Sequence, residues 1–399
     1  MFLKKYHLYI LILFSGILLI SLQSCVEPYS INIDSGTSII LIEGNITDLP
    51  EPQTITLSRS NLGKYKSTDK VTSITFDSAS RKPLINAKVE VIVNGKETFS
   101  LNEVADGTYQ LPDGFIGKVG NSYQLRFKTS EGAQYESNAE IMVKGPDIKK
   151  AYDNFNQKGI YDPVRYEYTA TNDVYIDYDD PVSDKNFYKW DWVLWEEQYW
   201  CATCQQGYYV LYDLGNRSYG ECIQDPTLNT YNFFDYPCMD QAWDIFYSTK
   251  INISSDIFTN GQSQKGKLIA QIPLNQSNAC LVALRQNSIT TGAYRYYKIL
   301  QDQTQNTGTL ADSPPAPTAG NVKNINNPDE NTFGYFSASS VSVLKYYMNR
   351  QNTTGGRFNG LFLSINKRIP NLPVGNYPHS SATCVPSKYR TCSKPLGWP

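Results

Sequence analysis

Lys88-Val89-Glu90-Val91-Ile92-Val93-Asn94-Gly95 is the stretch that decides the fold. Its valines and isoleucine are β-branched, which suits an extended backbone. They run into Asn-Gly, the dipeptide that most readily takes the positive φ angles of a tight hairpin turn. A strand ending in a hairpin is therefore expected at 88–95. Upstream, Ile39-Ile40-Leu41-Ile42-Glu43-Gly44 and Thr54-Ile55-Thr56-Leu57-Ser58 have the same β-branched character. Downstream, Asp106-Gly107-Thr108-Tyr109 and Gly120-Asn121-Ser122-Tyr123-Gln124-Leu125 each place a turn ahead of an aromatic strand. Short strands separated by Gly, Asn and Asp argue for a β-sandwich over residues 37–145.

Lys144-Gly145-Pro146-Asp147 breaks the pattern. Residues 150–399 are richer in Tyr, Asn, Gln and Cys and read as a second, larger β-rich domain. It opens with strands at Val174-Tyr175-Ile176-Asp177-Tyr178 and at 187–195. One helix is expected. After Ser288 or Thr291 as N-cap, Ala293, Tyr296, Tyr297 and Leu300 fall on one helical face, which runs to about Gln303. The Pro- and Asn-rich stretch 305–332 reads as a long loop. The segment Pro83–Val89, followed by Gly107-Thr108-Tyr109, resembles the prealbumin-like repeats of exported bacterial proteins. The expected fold class is thus mainly β: an N-terminal prealbumin- or Ig-like β-sandwich, then a larger, disulfide-containing β-rich domain with about one helix.

Residues 1–24 read as a signal peptide. Lys4 and Lys5 precede the apolar run Leu8–Leu22, which is shorter than the roughly 20 residues a membrane-spanning helix needs. Leu22-Gln23-Ser24-Cys25 resembles a bacterial lipobox, in which the Cys is acylated and becomes the first residue of the mature chain. Cys25 is the expected lipidation site, and 25–36 the lipid anchor and tether. The expected address is the outer membrane, lipid-anchored and facing the cell surface.

Composition excludes several chemistries. With 36 Lys+Arg against 38 Asp+Glu, a nucleic-acid partner is not expected. The chain has two His, and one of them, His7, leaves with the signal peptide. Only His379 remains for a nucleophile's base or a zinc ligand, and it sits in a Pro/Ser-rich tail. No cofactor is expected. Seven Cys lie beyond Cys25, namely Cys201, Cys204, Cys222, Cys238, Cys280, Cys384 and Cys392. In an exported chain these are disulfide candidates, and the odd count leaves at least one unpaired within the chain. Cys201-Ala202-Thr203-Cys204 lies in an aromatic, strand-like context, so it reads as structural and not as a redox motif. Gly261-Gln262-Ser263-Gln264-Lys265-Gly266-Lys267-Leu268 nearly matches a P-loop. Leu268 replaces the Mg²⁺-binding Ser/Thr and a strand follows, so a Gly-rich hairpin turn is expected.

Asp177, Asp179, Asp180 and Asp184 are oxygen donors of the kind Ca²⁺ takes, without the spacing of an EF-hand, and a solvated turn is the expected reading. Glu196 and Glu197, with these acids, are the carboxylates available for glycoside hydrolysis. Trp190, Trp192, Trp195 and Trp200 alternate roughly by twos. They can form either a core face or a flat ligand-binding surface.

A family resemblance is carried by the lipobox, Glu43-Gly44, Tyr123-Gln124-Leu125, Asp179-Asp180-Pro181 ahead of Tyr188, and Cys201-Ala202-Thr203-Cys204. It continues through Ala293-Tyr294-Arg295-Tyr296-Tyr297, Pro314-Pro315, Gly320-Asn321, Gly334-Tyr335-Phe336-Ser337-Ala338-Ser339 and Cys384-Val385-Pro386. Together these resemble the Bacteroidota lipoproteins grouped as domain of unknown function four-two-four-nine. Such proteins are typically encoded beside SusC/SusD-type TonB-dependent receptors. The resemblance implies a non-catalytic outer-membrane lipoprotein, an accessory or ligand-capture partner of a TonB-dependent nutrient receptor. A structural or adhesive surface protein, and a surface carbohydrate-active enzyme, are the alternatives. The family pattern carries a further Cys near Cys392 that 393–399 lacks, which leaves the terminal pairing open.

Overall fold

The computed structural model describes residues 38–60, 81–162, 166–182, 185–213, 218–305, 320–353, 358–373 and 381–399. Strands β1 (Ile40–Thr47), β2 (Thr54–Ser60), β3 (Arg81–Pro83), β4 (Lys88–Val93) and β5 (Glu97–Ser100) come first. β6 (Asn102–Ala105), β7 (Thr108–Gln110), β8 (Ser122–Lys128), β9 (Gln134–Ser137) and β10 (Glu140–Ile141) follow. The chain is mainly β, as expected. Asn94 and Gly95, both at positive φ, make the hairpin turn between β4 and β5.

Next come the long β11 (Ile148–Asp162) and β12 (Glu167–Asp179), then β13 (Phe187–Glu197), β14 (Trp200–Gln205), β15 (Gly207–Asp213), β16 (Ser218–Gln224) and β17 (Phe233–Pro237). β18 (Trp243–Tyr247), β19 (Asn252–Ser255), β20 (Ser263–Pro273) and β21 (Cys280–Ser288) lead to helix α1 (Thr291–Gln305). β22 (Val322–Asn324), β23 (Thr332–Met348), the short α2 (Leu361–Asn366) and β24 (Arg390–Thr391) complete the order. No helix among the described residues is long and apolar enough to cross a membrane.

The main sheet runs β24-β18-β13-β21-β23-β1-β2-β7-β6, and a second runs β22-β9-β8-β4-β5. One apolar cluster is built from both. Ile40, Ile42, Ile55 and Leu57 come from the main sheet, and Val89, Val91, Leu125 and Phe127 from the second. Period-two alternation explains this: on β8, Tyr123, Leu125 and Phe127 are buried, while Arg126 and Lys128 are exposed. β1 pairs in parallel with β23, Ile40 opposite Thr332, and β22 pairs with β9. Strands from beyond residue 150 therefore complete both sheets begun before residue 145, and hydrogen bonds cross the expected boundary in each.

A second cluster lies between the main sheet and the ribbon β11-β12-β20, where Val174, Ile176 and Ile272 meet Trp190, Val282 and Leu284. Helix α1 packs Ala293, Tyr296, Tyr297 and Leu300 against Phe187 and Tyr335, the expected face. Its cap is Thr290, one residue from the expected Thr291, whose Oγ1 accepts the Ala293 N–H at 3.2 Å. The stretch expected as a loop at 305–332 contains β22, because the asparagines there pair and cap the chain locally. Asn324 Oδ1 accepts the backbone N–H groups of Asn326 and Asn327.

Candidate functional site

The disulfides are Cys201–Cys238, Cys204–Cys222 and Cys384–Cys392. The terminal pair closes without a further Cys, and the unpaired thiol among these seven is Cys280. That corrects Cys280 as a disulfide candidate. It opens β21 inside the core, where burial and then Glu196 push its thiol pKa up and leave it a neutral, unreactive group.

The tryptophans do not share a face. Trp190 and Trp192 point into the second cluster, and Trp190 is 1 % exposed, its indole N–H donating to Gln286 Oε1 at 3.0 Å. Trp195, an odd number of residues along β13, lies on the opposite face. Trp200 sits on β14 and packs on Phe362, with ring centroids 5.5 Å apart. They are structural side chains and not one ligand platform. Glu196 and Glu197 likewise point to opposite faces of β13, so they cannot flank one glycosidic bond. Glu196 is locked in a buried pair with Arg350, with Nη1–Oε2 at 3.0 Å and Nη2–Oε1 at 2.5 Å.

Three of the four aspartates serve the segment 261–266. Asp177 accepts the Gly266 N–H at 2.8 Å, and Asp179 pairs with Lys149 and accepts the Ser263 hydroxyl. Asp180 accepts the Tyr188 hydroxyl at 2.5 Å and the Gly261 N–H at 3.1 Å. The glycine N–H groups of the near-P-loop thus meet carboxylates and not a phosphate. Most of that segment lies within β20, where the sheet ladder claims it, and not in a hairpin turn. Asp184, His379 and Cys25, with the signal and tether segments, lie outside the described residues. Among the described residues no three His, Cys, Asp or Glu converge on a metal position.

What sequence reasoning missed is a node around Glu140. This carboxylate is 5 % exposed and accepts the hydroxyls of Thr290 (2.5 Å) and Tyr335 (2.7 Å) and the Asn321 amide (3.3 Å). Burial raises its pKa, and these three neutral donors offset the rise only in part. It lines a cleft of about 450 Å³ with Lys185, Asn186, Thr291 and Gly292. Two motifs of the resemblance, Gly320-Asn321 and Gly334–Ser339, meet here. Asn321 donates to the Phe336 carbonyl (2.8 Å) and accepts its N–H (2.9 Å), so an amide side chain imitates a strand partner. Gly334, at φ +110°, brings its Cα so close to β1 that an added Cβ would lie 1.9 Å from the Ile42 carbonyl oxygen. Asn45 accepts the hydroxyls of Ser337 and Ser339 across the β1–β23 seam. The signature Gly-Tyr-Phe-Ser-Ala-Ser is thereby explained as a weld between distant strands. The signal for Glu140 was weak, a single acid beside Ile141 on a two-residue strand.

A wider cleft of about 910 Å³ opens between the β11–β12 ribbon and α2. Tyr168, Gln157, Asn275, Asn359 and Ser364 line it, and Glu167 is the one acid among its described lining residues. Tyr168 packs against Tyr161 at 4.9 Å between centroids, and both rings stay exposed, as does Tyr166 nearby. Tyr168, and none of the four tryptophans, lines this cleft.

No curated protein and no solved structure matches the chain. A family model described as a domain of unknown function, DUF4249, matches residues 26–345. The match spans most of the chain and coincides with the motifs that build the β1–β23 weld; the chain belongs to the DUF4249 family.

Proposed function

We propose that this chain is a non-catalytic lipoprotein, anchored through Cys25 on the surface face of the outer membrane, that captures a ligand beside a TonB-dependent nutrient receptor. The observation that carries this reading is the cleft of about 910 Å³ lined by Tyr168, whose ring packs on Tyr161, and by amide and hydroxyl side chains. Aromatic faces with a few hydrogen-bonding groups suit contact with a sugar or peptide. Hydrolysis of a glycoside needs two carboxylates, and this cleft has one among its described lining residues. Three disulfides are in keeping with an exported chain, since such bonds persist in oxidising compartments.

The test is co-purification. A tagged full-length chain, extracted in mild detergent from the cells that make it, is expected to bring an outer-membrane barrel with it. Cys25→Ala is expected to release the chain from the membrane fraction. A lipidated chain that purifies alone overturns the receptor partnership. If cells also lose adhesion on deletion of the gene, the adhesive alternative takes its place.

A further inference from the structure

Asp256 is 3 % exposed, and among the described residues no hydrogen-bond donor reaches either of its carboxylate oxygens. A buried carboxylate without donors is costly unless a cation or a proton neutralises it. It stands just after β19, at the head of a turn laced to the segment that follows β12. The Asp256 N–H donates to the Asn186 carbonyl (3.1 Å), and the Asp180 N–H to the Gln262 carbonyl (3.2 Å). The Gly261 N–H donates to Asp180 Oδ2 (3.1 Å). These three bonds put two buried acids, Asp180 and Asp256, on one seam, and both charges act on the phenols of Tyr178 and Tyr188. Among the described residues each Asp180 oxygen has one donor, which leaves a lone pair on each.

We propose that Asp256 and Asp180 hold a calcium ion that ties the turn 256–262 to the segment after β12. The donors are hard oxygens on two loops. Calcium accepts such irregular sets and fills the rest of its shell with carbonyl oxygens and water, whereas Mg²⁺ demands a near-ideal octahedron. Two carboxylates suffice for this, so the site needs no third acid. Asp177 and Asp179, the other described members of the acidic run, take no part: their partners are Gly266, Lys149 and Ser263.

The neighbouring rings supply a probe. Tyr178 and Tyr188 lie 5.4 Å apart, and Trp190 is 5.8 Å from Tyr188, so terbium bound in calcium's place would be excited through them. Terbium is added to the full-length chain in detergent after EDTA treatment. Sensitised emission is expected, displaced by Ca²⁺ and much less by Mg²⁺, and lost in Asp256→Asn and in Asp180→Asn but kept in Asp179→Asn. Thermal melts give a second readout independent of emission. Ca²⁺ is expected to raise the Tm of the wild-type chain. Asp256→Asn is expected to melt above wild type in EDTA, because an unpaired charge is gone, and below it in Ca²⁺. Emission that survives Asp256→Asn, or a wild-type Tm indifferent to Ca²⁺ and EDTA, overturns the proposal.

Discussion

The cluster around Leu57, Val91 and Phe127 and the Cys-rich region from Trp200 to Pro237 are both interior packing, achieved by opposite means. The first is hydrocarbon: Ile, Val, Leu and Phe from two sheets, with the rings of Phe127 and Tyr135 stacked at 4.7 Å. The second buries only a small cluster of Cys204, Tyr209, Tyr236 and Ala382. It relies on two disulfides and on Asp235, which holds the Arg368 guanidinium at 2.5 and 2.8 Å. Short two-stranded ribbons cannot bury enough apolar area to be stable alone, so covalent links and ion pairs substitute for it.

The contrast can be broken experimentally. Arg350→Met strands Glu196 as a buried, unpaired charge and is expected to cost about 3–5 kcal/mol in denaturant titration. Glu196→Leu with Arg350→Met is expected to cost much less, and equal losses would mean the charge pairing is irrelevant. Phe127→Ala, on the hydrocarbon side, is expected to cost a similar amount, about 3–5 kcal/mol, through the cavity it leaves. That cost should not change with salt.

Opening Cys201–Cys238 with paired serines is expected to cost about 2–4 kcal/mol. The effect should fall in the order of sequence separation, from 37 residues there to 18 for Cys204–Cys222 and 8 for Cys384–Cys392. Under reductant, hydrogen exchange should accelerate in β14–β17 and stay slow in β1, β2 and β23. Uniform acceleration would show the two regions to be one cooperative unit.

The pH dependences run in opposite directions. Burial pushes the Asp235 carboxyl up, but Arg368, the Asn371 N–H and Thr203 outweigh it, and its pKa is lowered. Its contribution to stability is present above the ordinary Asp range and lost as pH falls through the lowered value. Glu140 is raised, so its contribution is present below the ordinary Glu range and lost as pH rises through the folded value. Glu140→Gln should therefore flatten the acid-to-neutral slope, and Asp235→Asn should blunt acid unfolding, both read by thermal melts. The smallest effect expected is at Cys280. Its thiol should resist a thiol reagent in the native chain and react on unfolding.

Local chemistry made much of the fold legible. Asn94-Gly95 specified a turn with two positive φ angles, and the apolar face of α1 specified its packing side. Registers between distant segments left no such trace. Nothing in Ile40–Thr47 says that its neighbour is Thr332–Ser339, the strand that carries Tyr335 to Glu140. Of the two readings of the tryptophans the core face holds for Trp190 and Trp192; the shared face fails because Trp192 and Trp195 lie three residues apart within β13 and Trp200 lies beyond its end. Asp256 was invisible because its significance lies in the donors it lacks, a property of the folded interior.

The parallel pairing of β1 with β23 also bears on timing. A chain that emerges from a ribosome amino end first delivers β1 early and β23 late. Until the later strand arrives, β1 has β2 on one side and an open row of amide and carbonyl groups on the other. Long-range closure of this kind is slow. The β1–β23 seam therefore closes only after residues 332–348 have emerged.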